Sequence, residues 1–155
     1  MSKALFSLIF IISLGCSVSK PYKKKDFIRV SRKYGYSFNI LAGSSKYDGI
    51  LITLPMNSSV YSSFAGIVSD TSFIGKKGRS ISINSKKGIL TTYYHLEKQM
   101  VNVGDTIKRG QKIATSGNSG ACVGPCLGIM IKKYDSTIDP NTLLKLYPIN
   151  NKHQE

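Results

Sequence analysis

The sequence predicts an all-β fold, a compact antiparallel β domain, and three observations carry that prediction. From about residue 36 onward, short apolar or alternating runs follow one another at intervals set by turn residues. Little in the chain repeats its apolar residues at helical spacing. The chain has 155 residues, 41% of them hydrophobic and 19% charged, which suits one domain around one core.

The N-terminal segment "MSKALFSLIFIISLGC" places Lys3 ahead of an apolar or small run over residues 4–15, the order of a secretory signal peptide. Twelve residues fall short of the roughly 20 that a bilayer-spanning helix needs. The run stops at Cys16 after Gly15, which resembles a bacterial lipoprotein signal, in which Cys16 becomes lipidated and forms the new N-terminus. Ser13 stands where such signals usually carry leucine, and Leu14 lies one place late, so a plain cleaved signal with an incidental cysteine is the alternative. Both readings put the mature chain outside the cytoplasm. With the lipid they place it at the cell envelope, anchored in the periplasm, and Ser17 after the cysteine favours the outer membrane.

The net charge is +14, and loss of residues 1–15 removes only Lys3, leaving 21 basic residues against 8 acidic ones, or +13. Such an excess attracts polyanions and says nothing about fold. In an exported protein it points to anionic head groups and wall-peptide carboxylates, not to nucleic acid. Lys20, Lys23, Lys24, Lys25, Arg29, Arg32 and Lys33 crowd into one segment relieved only by Asp26. This stretch reads either as a juxtamembrane tether, worth about 1 kcal/mol per basic residue near an anionic surface, or as a solvated linker.

The strands follow in order. "ILITL" at 50–54 precedes Pro55 and the polar "MNSS", and "VYSSFAGIVS" at 60–69 leads into the glycines of 75–78. "SISIN" at 80–84 alternates cleanly, then "SKKG" turns the chain into "ILTTYYHL" at 89–96. "KIAT" at 112–115 and "GIMIKK" at 128–133 complete the series. The segment "VNVGDTIKRGQKIATSGNSG" at 101–120 is a compact hairpin unit with turns at 104–105 and 108–110 and a glycine-bearing loop at 117–120.

Taken as one pattern, "YDGILITLPMNSSVYSSFAGIV", "GILTTYYHL", the hairpin unit, "GPCLGIMI" and "IDPNTLL" resemble the lysostaphin-like, or LytM-type, peptidoglycan endopeptidase domain over about residues 47–145. The resemblance implies the duplicated hybrid motif type of β fold. It divides the chain into a signal peptide at 1–15, a basic tether at 16–35, a degenerate peptidase domain at 36–146 and a polar tail at 147–155.

Active members hold one zinc through the histidine and aspartate of an H-x-G-x-D-I-x-x-P segment and the last histidine of an H-x-H strand. Against that pattern "YDGILITLP" keeps Gly49, Ile52 and Pro55 but carries Tyr47 and Leu51 at the two ligand positions. "GPCLGIMI" carries Cys126 at the first histidine and Gly128 at the second, the third ligand. Catalytic zinc needs about three donors from Cys, His, Asp or Glu, so no metal cofactor is expected at these positions. His95 in "YYHL" matches the catalytic histidine, either as a vestige or as a buried residue held by a hydrogen bond. Tyr47, Leu51, Cys126 and Gly128 are expected to form a binding groove in place of a reaction centre.

Cys122 and Cys126 in "CVGPC" form a disulfide in an oxidising compartment or, with His95, offer three donors to a different metal. Within the family, degenerate lipid-tethered members regulate wall hydrolases, chiefly by activating amidases. The resemblance therefore implies a catalytically inactive envelope lipoprotein that binds peptidoglycan or a wall hydrolase such as an amidase and regulates wall remodelling or division. The alternative is an active zinc endopeptidase with a rearranged metal site. "VGDTIKRGQKIA" also resembles biotinyl and lipoyl carriers and a sugar phosphotransferase component, but those act in the cytoplasm.

Overall fold

The structure, a computed structural model, describes residues 30–144 apart from 36, 41 and 42, with the backbone alone over 37–40 and 43–46. The signal segment, Cys16, most of the basic tether and the polar tail lie outside the described residues.

Twelve strands account for most of the described residues: β1 (Val30–Arg32), β2 (Ser37–Ile40), β3 (Gly43–Lys46), β4 (Ile50–Thr53), β5 (Ser59–Tyr61) and β6 (Gly66–Ile74), then β7 (Gly78–Ser85), β8 (Ile89–Gln99), β9 (Thr106–Ile107), β10 (Lys112–Ser116), β11 (Cys126–Lys133) and β12 (Ser136–Ile138). A short helix, α1 (Pro140–Leu144), follows them. The main sheet is antiparallel and runs β1-β4-β11-β8-β7-β6-β9, with β10 pairing both β5 and β8, and β12 pairing β11. β2 and β3 form a separate hairpin.

The period-two alternation sorts side chains between the two faces. In β4, Ile50 and Ile52 enter the core. In β11, Leu127, Ile129 and Ile131 do so, while Cys126, Gly128 and Met130 occupy the intervening positions and so point to the other face. Val60, Val68, Ile81, Ile83, Tyr93, Leu96, Ile107 and Ile113 join them in the core. The abundance of β-branched residues is what a half-buried pleated surface favours.

The hairpin unit folds as the glycines and Asp105 require. The Asp105 carboxylate accepts the Asn102 amide at 2.8 Å, and Gly104, at φ +93°, donates its N–H to the Val68 carbonyl at 2.9 Å. At Gly78 (φ +66°) a Cβ would come within 2.5 Å of the Ser119 backbone, so both conformation and space demand glycine.

Four elements differ from expectation. The single run at 60–69 divides into β5 and β6, because the chain turns where Ser62 Oγ bonds the Phe64 carbonyl (2.7 Å) and exchanges β10 for β7 and β9 as partners. β1 lies inside the stretch assigned to the basic tether and pairs with β4, so Arg32 belongs to the folded domain. The β2–β3 hairpin carries little apolar alternation and gave no signal. At the far end Asp139 caps α1, its carboxylate accepting the Asn141 amide at 2.8 Å, with Pro140 at the first helical position.

Candidate functional site

Register places two of the sequence-predicted positions, Leu51 and Gly128, side by side. Arg32 stands opposite Leu51, Leu51 opposite Gly128, and Gly128 opposite Tyr94, so four strands contribute one row. Leu51, Gly128 and Tyr94 lie on the face away from the core cluster, where alternation directs them.

Tyr94, which the sequence reading did not single out, organises this row. A Cβ built on Gly128 would lie 2.1 to 2.4 Å from three atoms of the Tyr94 ring. The ring therefore lies flat over Gly128 and reaches across β11. Its hydroxyl shares a 2.7 Å hydrogen bond with the Tyr47 hydroxyl and stops 2.8 Å from where a Cβ of Gly49 would be. A glycine in mid-strand marks such a close approach, and Gly128 opposite a bulky residue was the available signal.

The consequence is a filled site. Leu51 is 8% exposed, Cys126 2% and Tyr94 1%, so these side chains are buried, and the Tyr94 ring occupies the space over Gly128. What faces outward is Tyr47, with the Arg32 guanidinium 5.3 Å from its ring centroid. Lys77 lies 5.4 Å from the Tyr94 ring centroid, 3.3 Å from Met130 Sδ and 3.6 Å from the Asp48 carboxylate. Burial raises the Tyr47 hydroxyl pKa above its ordinary value, against the bond from Tyr94 and the charge of Arg32. Burial, and next the neighbouring Tyr47, push Tyr94 far above that value, so both tyrosines are neutral at pH 7.

His95 follows Tyr94 with φ +64°, a left-handed conformation rare for a residue with a Cβ. The register of β8 against β7 shifts between Arg79 and Ile81, and the rings of Tyr94 and His95 stand 5.0 Å apart at 56°. The kink thus interrupts the alternation that would send consecutive side chains to opposite faces. His95 is buried, and its Nδ1 lies 2.7 Å from the Ser119 carbonyl, which fixes Nδ1 as the protonated nitrogen. Burial lowers its pKa, opposed by the Ser119 carbonyl and reinforced by the charges of Arg32 and Lys77. The imidazole is neutral at pH 7.

The loop before β11 is tied on several sides. Cys126 donates its amide to the Gly117 carbonyl (2.9 Å), and Ala121 donates to the Lys76 carbonyl (2.8 Å). With its nitrogen turned inward, the Asn118 amide donates to Gly124 and Cys122 at 2.8 and 3.0 Å. Cys122 and Cys126 are joined by a disulfide. A ring nitrogen of His95 and the two sulfurs lie within 4.8 Å of one another.

The zinc implied by the resemblance does not fit at Tyr47, Leu51 and Gly128. Leucine and glycine offer no side-chain donor, the Tyr47 hydroxyl is held neutral, and the Tyr94 ring fills the space that a side chain at 128 would enter.

Residues 45–140 match Peptidase family M23. The chain is 32% identical over 125 residues (79% of its length) to an uncharacterized metalloprotease of Buchnera aphidicola subsp. Baizongia pistaciae. It is 29% identical over 104 residues (66%) to the peptidoglycan DD-endopeptidase ShyC of Vibrio cholerae, and 33% identical over 96 residues (59%) to the uncharacterized lipoprotein YgeR of Escherichia coli. It spans 33%, 24% and 37% of these three relatives, respectively. Among solved structures, LytU matches with a TM-score of 0.71 at 26% identity, over 83% of this chain and 92% of that one. The catalytic domain of lysostaphin from Staphylococcus simulans matches with a TM-score of 0.68 at 26% identity, over 76% and 92%.

Proposed function

Because the chain belongs to peptidase family M23, we propose that it works at the cell envelope as a lipid-anchored, non-cutting member that binds peptidoglycan or a wall hydrolase such as an amidase and regulates wall remodelling or division. One observation carries the reading: the Tyr94 ring lies over Gly128 where a zinc-ligating side chain would stand, with Leu51 beside it on β4. A metal in such sites activates water near neutral pH and polarises the scissile carbonyl. The residues here supply neither. Neutral His95 keeps one proton on Nδ1 and a lone pair on Nε2, and by itself it is a weak base for amide cleavage.

The outward face supports binding. Tyr47, Arg32 and Lys77 present one aromatic ring and two cations, a combination suited to carboxylates on wall peptides, and the net charge of +13 left after loss of residues 1–15 steers acidic polymers toward it. The peptidoglycan endopeptidase and lipoprotein among the relatives support the same compartment.

The test is incubation of purified sacculi with the full-length chain in mild detergent, with and without zinc, following soluble fragments and co-sedimentation. Sedimentation without fragment release is expected. Zinc-dependent release would overturn the proposal and restore the alternative of an endopeptidase with rearranged ligands.

A further inference from the structure

We infer that the Cys122–Cys126 disulfide and a divalent metal are alternative occupants of one site, so that the reduced chain binds one zinc-like ion through the Cys122 and Cys126 thiolates and His95. The three donors come from different parts of the fold, β8 for His95, the loop before β11 for Cys122 and the first residue of β11 for Cys126, yet already lie within 4.8 Å of one another. Zn–S distances of about 2.3 Å and Zn–N of about 2.0–2.1 Å, arranged tetrahedrally, set donors about 3.5–3.8 Å apart. Parting of the sulfurs on reduction moves them toward that separation. The Cys-x-x-x-Cys spacing of "CVGPC" falls in the range used by zinc-binding cysteine pairs.

Two further features suit a metal. Nδ1 of His95 is committed to the Ser119 carbonyl at 2.7 Å, the outer hydrogen bond by which metal-bound imidazoles are oriented, and this leaves Nε2 to coordinate. Charge is also balanced. The positive groups around His95, Arg32 and Lys77, would oppose a bare cation, but a divalent ion with two thiolates and a neutral imidazole has no net charge. Asp48, paired with Lys77 at 3.6 Å, offsets part of that positive field.

The chemistry balances with an external dithiol as reductant. That dithiol gives two electrons and two protons to the Cys122–Cys126 bond and becomes a disulfide itself. The two thiols then lose their protons as the metal binds. These positions are distinct from Tyr47, Leu51 and Gly128, and metal binding is measured separately from wall cleavage.

The experiment is anaerobic cobalt(II) titration of the full-length chain in detergent, after reduction and removal of excess reductant. It is run in a Cys16→Ser background so that the third cysteine contributes no thiolate. One cobalt per reduced chain is expected, with a near-ultraviolet thiolate-to-cobalt band and the intense visible bands of tetrahedral coordination. The oxidised chain should show neither. Cys122→Ser and Cys126→Ser should each remove most of the thiolate band, and His95→Ala should weaken binding more than about 10-fold, since even an outer partner is worth that much. Equal binding by reduced and oxidised chains, or an unchanged spectrum in both serine variants, would overturn the inference. If a serine variant loses its fold by circular dichroism, alkylation of the reduced chain decides: one bound cobalt should protect both thiols from iodoacetamide, and labelling at the metal-free rate would overturn the inference.

Discussion

Substitution Gly128→Ala puts the Tyr94–Gly128 contact to a quantitative test. The added methyl would sit 2.1 Å from Tyr94 Cε2, 2.3 Å from Cζ and 2.4 Å from Cδ2, so the broad side of a ring 1% exposed must move. Moving it also breaks the 2.7 Å bond to Tyr47. Overpacking costs about 1–3 kcal/mol and the hydrogen bond about 0.5–1.5, so a loss of about 2–4 kcal/mol is expected. Tyr94→Ala alone should cost about 3–5 kcal/mol, the usual figure for emptying a buried aromatic site. In the double variant the new methyl enters vacated space, so its cost should lie no higher than that of Tyr94→Ala, a coupling of at least about 2 kcal/mol. Urea unfolding followed by circular dichroism measures all four corners of the cycle. A Gly128→Ala cost below about 0.5 kcal/mol, or strict additivity, would refute the geometry on which the filled site rests.

Other perturbations read different parts of the site. His95→Ala should retain sacculus co-sedimentation within about twofold, since burial leaves it little contact surface, whereas Tyr47→Asp should weaken it; abolition by His95→Ala with an unchanged circular dichroism spectrum would contradict the binding proposal. Leu51→Asp, placing an unpaired carboxylate in an 8% exposed position, should destabilise the fold by more than about 2 kcal/mol in the same urea assay. Ser119→Ala removes both the 2.7 Å bond to the Leu96 carbonyl and the acceptor of the Arg79 amide (3.0 Å), and should cost about 1–3 kcal/mol. Tyr47, Tyr93 and Tyr94 all have folded pKa values raised above the unfolded value of 10.0, chiefly by burial. Their protons are therefore held more tightly in the folded chain, the stability they confer is complete below pH 10, and it is lost as pH rises beyond. Tyrosinate absorbance for these residues should appear together with unfolding; ionisation of Tyr47, Tyr93 and Tyr94 in the still-folded chain would refute the burial argument.

How much was legible in the sequence depends on how local each feature is. The apolar runs "ILITL" and "GIMIKK" located β4 and β11, because a short apolar run bounded by turn residues is a local signal, although β11 begins two residues earlier, at Cys126. Tyr47, Leu51 and Gly128 could be placed against the family's ligand positions because their neighbours Gly49, Ile52 and Pro55 keep the family pattern. Tyr94 was not legible. Its role depends on a cross-strand register, 94 opposite 128, that no local pattern states. β1 was hidden by the basic residues around it, which drew a reading from charge although its partner is β4. The kink at His95 was also invisible, since nothing in "TTYYHL" marks a positive φ, and the partner of its ring, the Ser119 carbonyl, lies 24 residues away.

The Tyr94 ring over Gly128 also bears on how such a protein changes over generations. A bulky side chain cannot enter position 128 while residue 94 is large, and shrinking residue 94 first empties a buried space at about 3–5 kcal/mol. Against a total stability of about 5–15 kcal/mol, either first step consumes a large share. A larger side chain at position 128 therefore needs a coordinated substitution at 94. The interlock acts as a ratchet, so that neither position changes far without the other.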